Sequence, residues 1–527
     1  MKQYKTCFIT AILILFALVL RIYQITVLPL SMHIDEAGLG LNAWSIAHFG
    51  TDRYGNFLPI CPSNFYGEQS AFYTYFCALC IKLGGLNMFT LRFPAVFMGM
   101  VTVIFGALIM KEIWGSKGFY TGFLLLSIFP YFIMNCRFAL DCNAMLGAVT
   151  VSLYVLIRLI QKIRKHPEGT YYGHFALLGI SLGFVLYTYI IAAIVISLFS
   201  LSFGIYYLLY KRERRTARFK QLLFWAIPLV IMVIPLLLTV LVHVLDLEAI
   251  VTPFFSIPKM HTNRAEEIVF SISSIGAKLK NLLYPLTYDG KYGSSQRYWT
   301  MYWWSVPFIL LGGIASIYHT IRDIKAGHLS IHFMMLLFSA AEIIMFLLCG
   351  LYNYHINGIF IALAFFCLNG IFLAENQLRK KSLKATYTIL LVCLYSGTFL
   401  GFTAEYFHPD NSENYQVFGG VDQALRLLDA SQSEKEIYVI GEVGEIYFLS
   451  NPIPPAEFAS HCDELGFIKD YKNLHFYNPA SYDQADILVC NKTSGWRNVI
   501  MDNEQTGYKY TCLEGDYYCL FIKSEEP

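Results

Sequence analysis

The sequence predicts an α-helical polytopic membrane protein with a small C-terminal extracytoplasmic α/β domain. Three observations predict it. The 527 residues are 56% hydrophobic and only 14% charged, where an average soluble domain carries about 25% charged residues. About eleven stretches approach the ~20 mostly apolar residues that a spanning helix needs. The basic residues between those stretches fall on alternate loops, as a threaded membrane chain requires.

The spans run near 7–29, 92–112, 117–135, 143–161, 174–189, 190–210, 221–243, 303–321, 330–350, 356–375 and 385–403. The stretch 71–86 is apolar but short, and reads as an interfacial helix. Lys2 and Lys5 precede the apolar run Cys7–Leu20 in the manner of a signal peptide. No small-residue cleavage site follows cleanly, so this run is expected to stay as the first helix. The basic loops Lys111–Lys117, Lys162–His166, Lys211–Lys220, Arg322–Lys325 and Arg379–Lys384 all fall on the side of Lys2 and Lys5. The positive-inside rule makes that side the cytoplasm. Counting 71–86 as a span would send Lys211–Lys220 outside, which the charge pattern rejects.

Loops 31–70, 137–143, 246–300 and 352–357, and the tail from about residue 405, are then external. The expected division is a membrane domain over 1–404, with long external loops 31–70 and 246–300, and a small domain over 405–527. In the tail, Glu436–Ile440, Glu445–Leu449, Ala485–Cys490 and Tyr508–Lys523 read as strands, and Val421–Ala430 as a helix. Gly441-Glu442-Val443-Gly444 lacks the surroundings of a nucleotide-binding loop. The net charge of +2 provides no field for nucleic acid. The 13 cysteines form no zinc-type Cys/His cluster; Cys77, Cys80, Cys349 and Cys367 sit in apolar runs as small fillers. Cys462, Cys490, Cys512 and Cys519 lie in the tail, where an external location permits a disulfide of undefined pairing.

The polar residues that invite chemistry gather in the external loops. His33-Ile34-Asp35-Glu36 follows the first span directly. Two adjacent carboxylates at a membrane surface are costly unless something uses them; the bland alternative is a solvated loop start with Asp35 capping a short helix. In Arg137-Phe138-Ala139-Leu140-Asp141-Cys142-Asn143, Arg137 and Asp141 share a helix face at i,i+4. They make either a local ion pair or a second acidic group facing Asp35 across a cavity. Tyr352-Asn353-Tyr354-His355-Ile356-Asn357 stands at an outer mouth, where it either grips a phosphate or anchors the interface with its tyrosines. Pro258-Lys259-Met260-His261-Thr262-Asn263-Arg264 offers cations to an anionic head group, or to water. Glu342 sits mid-span and is left without an assigned role.

These strings resemble the GT-C glycosyltransferases. The likeness is to bacterial relatives of the dolichyl-phosphate-mannose protein mannosyltransferases and of the aminoarabinose transferases. It is carried by His33–Glu36, Asp52-Arg53-Tyr54-Gly55-Asn56-Phe57-Leu58-Pro59, Leu91-Arg92-Phe93-Pro94, Arg137–Asn143, Ile257-Pro258-Lys259 and His355-Ile356-Asn357, in family order over about residues 30–360. The resemblance implies a membrane glycosyltransferase that inverts the sugar carbon. It implies a polyprenyl-phosphate sugar as donor and a lipid, glycan or protein as acceptor. Asp35 would be the general base. Glu36 and Asp141 would orient the acceptor; any divalent cation would fall to these carboxylates, Asp35 and Asp141 first. Arg137, Lys259, Arg264, Arg297 and His355 would meet the departing phosphate. This chain departs from some relatives at Gly67-Glu68-Gln69-Ser70, where they carry a Lys, and at His355, where they often carry Arg. A lipid-linked glycan transporter or flippase would instead place polar groups along the spans and show inverted repeats. A non-catalytic scaffold would tolerate neutralisation of Asp35.

Overall fold

The computed structural model describes residues 2–30, 32–65, 67–210, 214–260, 272–280, 283–287, 297–349, 353–408, 417–429, 432, 434–441, 444–492, 494–502 and 506–524. The helices in chain order are α1 Lys2–Ile22, α2 Ile34–Phe49, α3 Ala71–Gly84, α4 Met88–Ile128, α5 Pro130–Met134, α6 Asp141–Lys165, α7 Tyr172–Thr188, α8 Ala193–Leu209 and α9 Arg215–Val244. They continue as α10 Ile272–Lys280, α11 Tyr284–Thr287, α12 Val306–Lys325, α13 Ile331–Cys349, α14 Ile359–Gln377 and α15 Lys381–Tyr406. The tail adds α16 Gly420–Leu425, α17 Gly444–Ser450, α18 Pro455–Ser460 and α19 Trp496–Met501.

Among the described residues, 8 helices are long and apolar enough to cross a membrane. One of them, α4, contains two expected spans: Gly115 adopts φ 63°, ψ −151°, and breaks the rod in two. Only glycine takes that conformation readily. Two further expected spans fall on the shorter apolar helices Thr6–Ile22 and Tyr172–Thr188. The short helix expected over 71–86 is α3.

Contacts divide the chain into two compact units. The first comprises 1–23, 94–240 and 263–408 and holds most of the long helices. Its α12 and α14 cross at glycines. A Cβ at Gly312 would collide with the Phe366 carbonyl oxygen, and one at Gly370 with that of Phe308. Small residues allow such backbone approach where no hydrophobic gain separates helix from lipid.

The second unit comprises 24–93, 241–262 and 409–527. Its short strands β1 Ser63–Asn64 and β2 Gly67–Glu68 pair with each other, as do β3 Ile250–Val251 and β4 Ser256–Ile257. The tail forms a six-stranded sheet from β5 Ile437–Ile440, β6 Asp470–Tyr471, β7 Leu474–His475, β8 Ile487–Asn491, β9 Tyr510–Glu514 and β10 Tyr518–Lys523. Its order is β6-β7-β5-β8-β10-β9, with β5 parallel to both β7 and β8 and the remaining pairs antiparallel. The tail is thus α/β. One tail element differs from expectation: Glu445–Leu449 is not a strand but the body of α17. Glu445, Ile446, Phe448 and Leu449 are buried at helical i, i+3 and i+4 spacing, a period that a five-residue apolar string does not reveal. The helix expected over Val421–Ala430 is the shorter α16. The four tail cysteines are free thiols, with Cys490 opposite Cys519 in the β8–β10 register.

Candidate active site

In the second unit, α2 opens at Ile34. His33 is its N-cap, in extended conformation, and its Nδ1 accepts the Asp35 N–H at 3.1 Å. The same nitrogen lies 3.3 Å from Asp35 Oδ2. Asp35 is in the first turn of α2 and its side chain is 35% exposed. An anion there meets the positive end of the helix.

Glu36 has the opposite surroundings. It is fully buried, and both oxygens are taken by Arg92: Nε donates to Oε1 at 2.8 Å and Nη2 to Oε2 at 3.2 Å. Arg92 Nη1 also donates to the carbonyls of Ile25 and Pro29. The bidentate pair therefore pins the start of α2 to the chain that leads into it. Glu36 does not fit a cation ligand or an acceptor contact, which corrects the sequence expectation for this residue.

The loop after α2 is held by Asp52. Its carboxylate accepts the backbone N–H groups of Tyr54 (3.0 Å), Asn56 (3.0 Å) and Ser63 (3.2 Å), and the Asn56 side-chain amide at 2.9 Å. This Asx-type turn explains why an Asp and an Asn stand four apart there. Arg53 then donates to the Gly38 carbonyl and to the Tyr54 hydroxyl, both at 2.8 Å, and Tyr54 donates to the Gly466 carbonyl at 2.9 Å. The Arg53 guanidinium also lies 4.8 Å from the Phe65 ring centre. The tail's own carboxyl here, Glu445 in the first turn of α17, is fully buried. Burial pushes its pKa up to about 7, against the pull of Arg53.

Lys259 pairs with Asp246 at 2.8 Å, both side chains substantially exposed; a pair this wet adds little and exchanges readily.

In the first unit, Asp141 opens α6 and lies in its first turn. Its Oδ1 accepts the Cys142 N–H at 2.7 Å. Arg137 is fully buried four residues earlier. Its guanidinium donates to the Arg21 carbonyl at 3.1 Å and the Tyr23 carbonyl at 2.7 Å, and lies 4.9 Å from the Phe407 ring centre. It caps the C-terminal end of α1, where carbonyls are unsatisfied and a cation suits the helix dipole. That burial corrects the expectation of a direct phosphate contact for Arg137.

The turn 135–143 and the mouth 353–357 are brought together. Asn357 donates to the Cys142 carbonyl at 2.6 Å, and its Oδ1 accepts from Asn135 at 3.3 Å and from the Tyr131 hydroxyl. Asn135 also donates to Asn143 at 3.2 Å. His355 is buried, with its Nδ1 2.8 Å from the Tyr189 hydroxyl. Arg297 is exposed, with its guanidinium 5.6 Å from the Tyr298 ring centre. Arg264 and Tyr352 lie outside the described residues. Asn135 and Tyr189 were missed as site-building residues and left no signal in the sequence; Asp52 was noted only within a motif, its Asp-x-x-x-Asn spacing at a turn being the signal of its role.

The long apolar helices among the described residues and the terminal α/β domain make up a membrane protein of the GT-C glycosyltransferase fold. Residues 68–243 match the model of the dolichyl-phosphate-mannose-protein mannosyltransferase family. Among solved structures, ArnT from Cupriavidus metallidurans in the apo state is similar with a TM-score of 0.54 at 11% identity, covering 99% of this chain and 98% of that one. ArnT bound to undecaprenyl phosphate gives a TM-score of 0.50 at 11% identity, over 98% of each chain. The oligosaccharyltransferase AglB from Archaeoglobus fulgidus, in complex with an inhibitory peptide and a dolichol-phosphate, gives 0.53 at 13% identity, over 93% of this chain and 70% of that one. No curated protein sequence matches the chain. At these identities the structural likeness is one of fold; the family model and the fold agree on a glycosyltransferase class.

Proposed function

We propose that this protein transfers a monosaccharide, hexosyl or pentosyl, from a polyprenyl-phosphate donor to an extracytoplasmic acceptor, with inversion at the sugar carbon. The observation that carries the reading is Asp35: an accessible carboxylate at the start of α2, fixed by His33 and beside the buried Glu36–Arg92 pair. Asp35 takes the proton from the acceptor hydroxyl. The acceptor oxygen bonds to the sugar carbon, and the bond from that carbon to the lipid phosphate oxygen breaks. The phosphate leaves with the electron pair. General-base assistance of this kind contributes about 10²–10⁴-fold.

Asp141 orients the acceptor. Lys259, paired with the exposed Asp246, meets the growing charge on the departing phosphate, with Arg264 and Arg297 as further cations of that role; His355, buried as Arg137 is, positions its turn instead. Arg137 and Glu36 position their helices. The N-terminus is cytoplasmic and the tail domain external, as the loop charges require. The lipid phosphates bound to ArnT and AglB support a lipid-linked donor.

The test is chemical. Purified protein is incubated with a polyprenyl-phosphate sugar and an envelope extract as acceptor, and the lipid is followed by mass spectrometry. Loss of one sugar mass from the lipid, with appearance of free polyprenyl phosphate, is expected. An unchanged lipid across hexosyl and pentosyl donors overturns the proposal. Flipping without loss of the sugar would favour a transporter.

A further inference from the structure

We infer that the tail domain carries a saccharide-binding cleft and that its occupant is the acceptor glycan; naming it the acceptor rests on the transfer reading above. An open cleft of about 730 Å³ lies on the tail, within the ~300–1,000 Å³ range of small-molecule pockets. Its walls combine two kinds of group. Tyr447 and Tyr517 supply aromatic rings, while Asp422, Gln423 and Asn451 supply planar polar ends. A pyranose presents the matching pair of surfaces: an apolar C–H face that rests on a ring, and neighbouring hydroxyls that bridge the two atoms of a carboxylate or amide.

The polar groups are held in place before any ligand arrives. The Gly419 N–H donates to Ser450 Oγ at 2.9 Å. Ser450 in turn hydrogen-bonds Asp422, and Asn451 Nδ2 donates to Asp422 Oδ1 at 2.6 Å. A carboxylate has about four acceptor positions, so these donors fix Asp422 and still leave it able to receive sugar hydroxyls. Gln423 is oriented by a hydrogen bond to Asp516. Tyr517 is 37% exposed at the turn between β9 and β10, so one ring stays available. With Asp422 and Arg426 as the cleft's charges, a neutral or weakly charged sugar fits better than a polyanion.

The placement ties the cleft to the reaction. Tyr447, Ser450 and Asn451 lie on or at the end of α17, whose other side packs on α2. A Cβ at Gly40 of α2 would stand 2.7 Å from Leu449 Cδ1. The element that holds the saccharide is therefore seated on the helix that begins with Asp35. A solvated surface notch is the plain alternative, and it predicts no sugar preference.

The experiment uses the full chain in a detergent without a sugar head group. Saturation-transfer NMR is run with a panel of di- and trisaccharides of glucose, galactose, mannose and N-acetylglucosamine. At least one is expected to bind, and Asp422→Asn and Tyr517→Ala are each expected to weaken it by about tenfold or more. Tyr517→Ala touches a half-exposed ring, so it reports even if Asp422→Asn impairs folding. With that saccharide as acceptor, Tyr517→Ala should raise KM and leave kcat in place. No binding across the panel, or both variants binding like the wild type, overturns the cleft. Binding is read without donor, so its failure is separate from a failure of transfer.

Discussion

Two buried arginines flank the two proposed carboxylates, and they are neutralised in different ways. In the second unit, Arg92 closes on Glu36 in a bidentate ion pair and adds two loop carbonyls. In the first unit, Arg137 lies among the carbonyls at the end of α1 and the ring of Phe407. Each arrangement adjoins a helix whose first turn carries a carboxylate, Asp35 in α2 and Asp141 in α6. The ion pair fixes one geometry, because a buried charge without its partner is strongly penalised. The carbonyl cap is made of dipoles and is more tolerant. The Asp35 region is therefore the stiffer of the two, as suits the proposed base, which must stay within hydrogen-bond reach of its proton.

Breaking the ion pair has the largest expected effect. Glu36→Gln leaves Arg92 buried without its counter-charge and should cost about 3–5 kcal/mol in thermal unfolding. The double change Glu36→Leu with Arg92→Leu should cost clearly less than the two single changes added together. Additive losses would mean that the pair is not a unit.

Glu445 adds a pH dependence to the same unit. Its folded pKa is raised from 4.5 to about 7. The folded form therefore holds a proton that the unfolded chain releases near pH 4.5. The associated stability is fully present below that pH and is lost as pH rises through about 7. The whole swing is on the order of 3 kcal/mol. Melting curves at pH 4.5 and 7.5 should differ for the wild type and converge for Glu445→Gln; a pH-independent wild type contradicts this.

The cap in the first unit should be worth less. Arg137→Met is expected to cost up to about 2 kcal/mol, and a loss matching that of Glu36→Gln would erase the distinction drawn above. Smaller again, Tyr189→Phe removes the hydroxyl that bonds His355 and should cost about 1 kcal/mol in the same melt.

The membrane helices were legible because bilayer thickness fixes one window length for all of them. Even the break in α4 was readable, from the basic loop Lys111–Lys117 between two apolar runs. The candidate site was legible where neighbours in sequence are neighbours in space, as at His33–Asp35. It was not legible where partners are distant. Glu36 looked like a ligand because Arg92 lies 56 residues away. Arg137 looked like a phosphate contact because its carbonyl partners carry no sequence signal. The Asn135–Asn357 bond spans 222 residues. In the tail, α17 was misread because two turns of helix are too short for a period to appear, and its burial comes from tertiary packing on α2.

The most direct test of the account follows single-turnover transfer by protein loaded with a labelled polyprenyl-phosphate sugar, comparing wild type with Asp35→Asn. The account predicts that the variant binds the donor equally, yet its lipid keeps the sugar over a time in which the wild type has emptied. Emptying at the wild-type rate would contradict it.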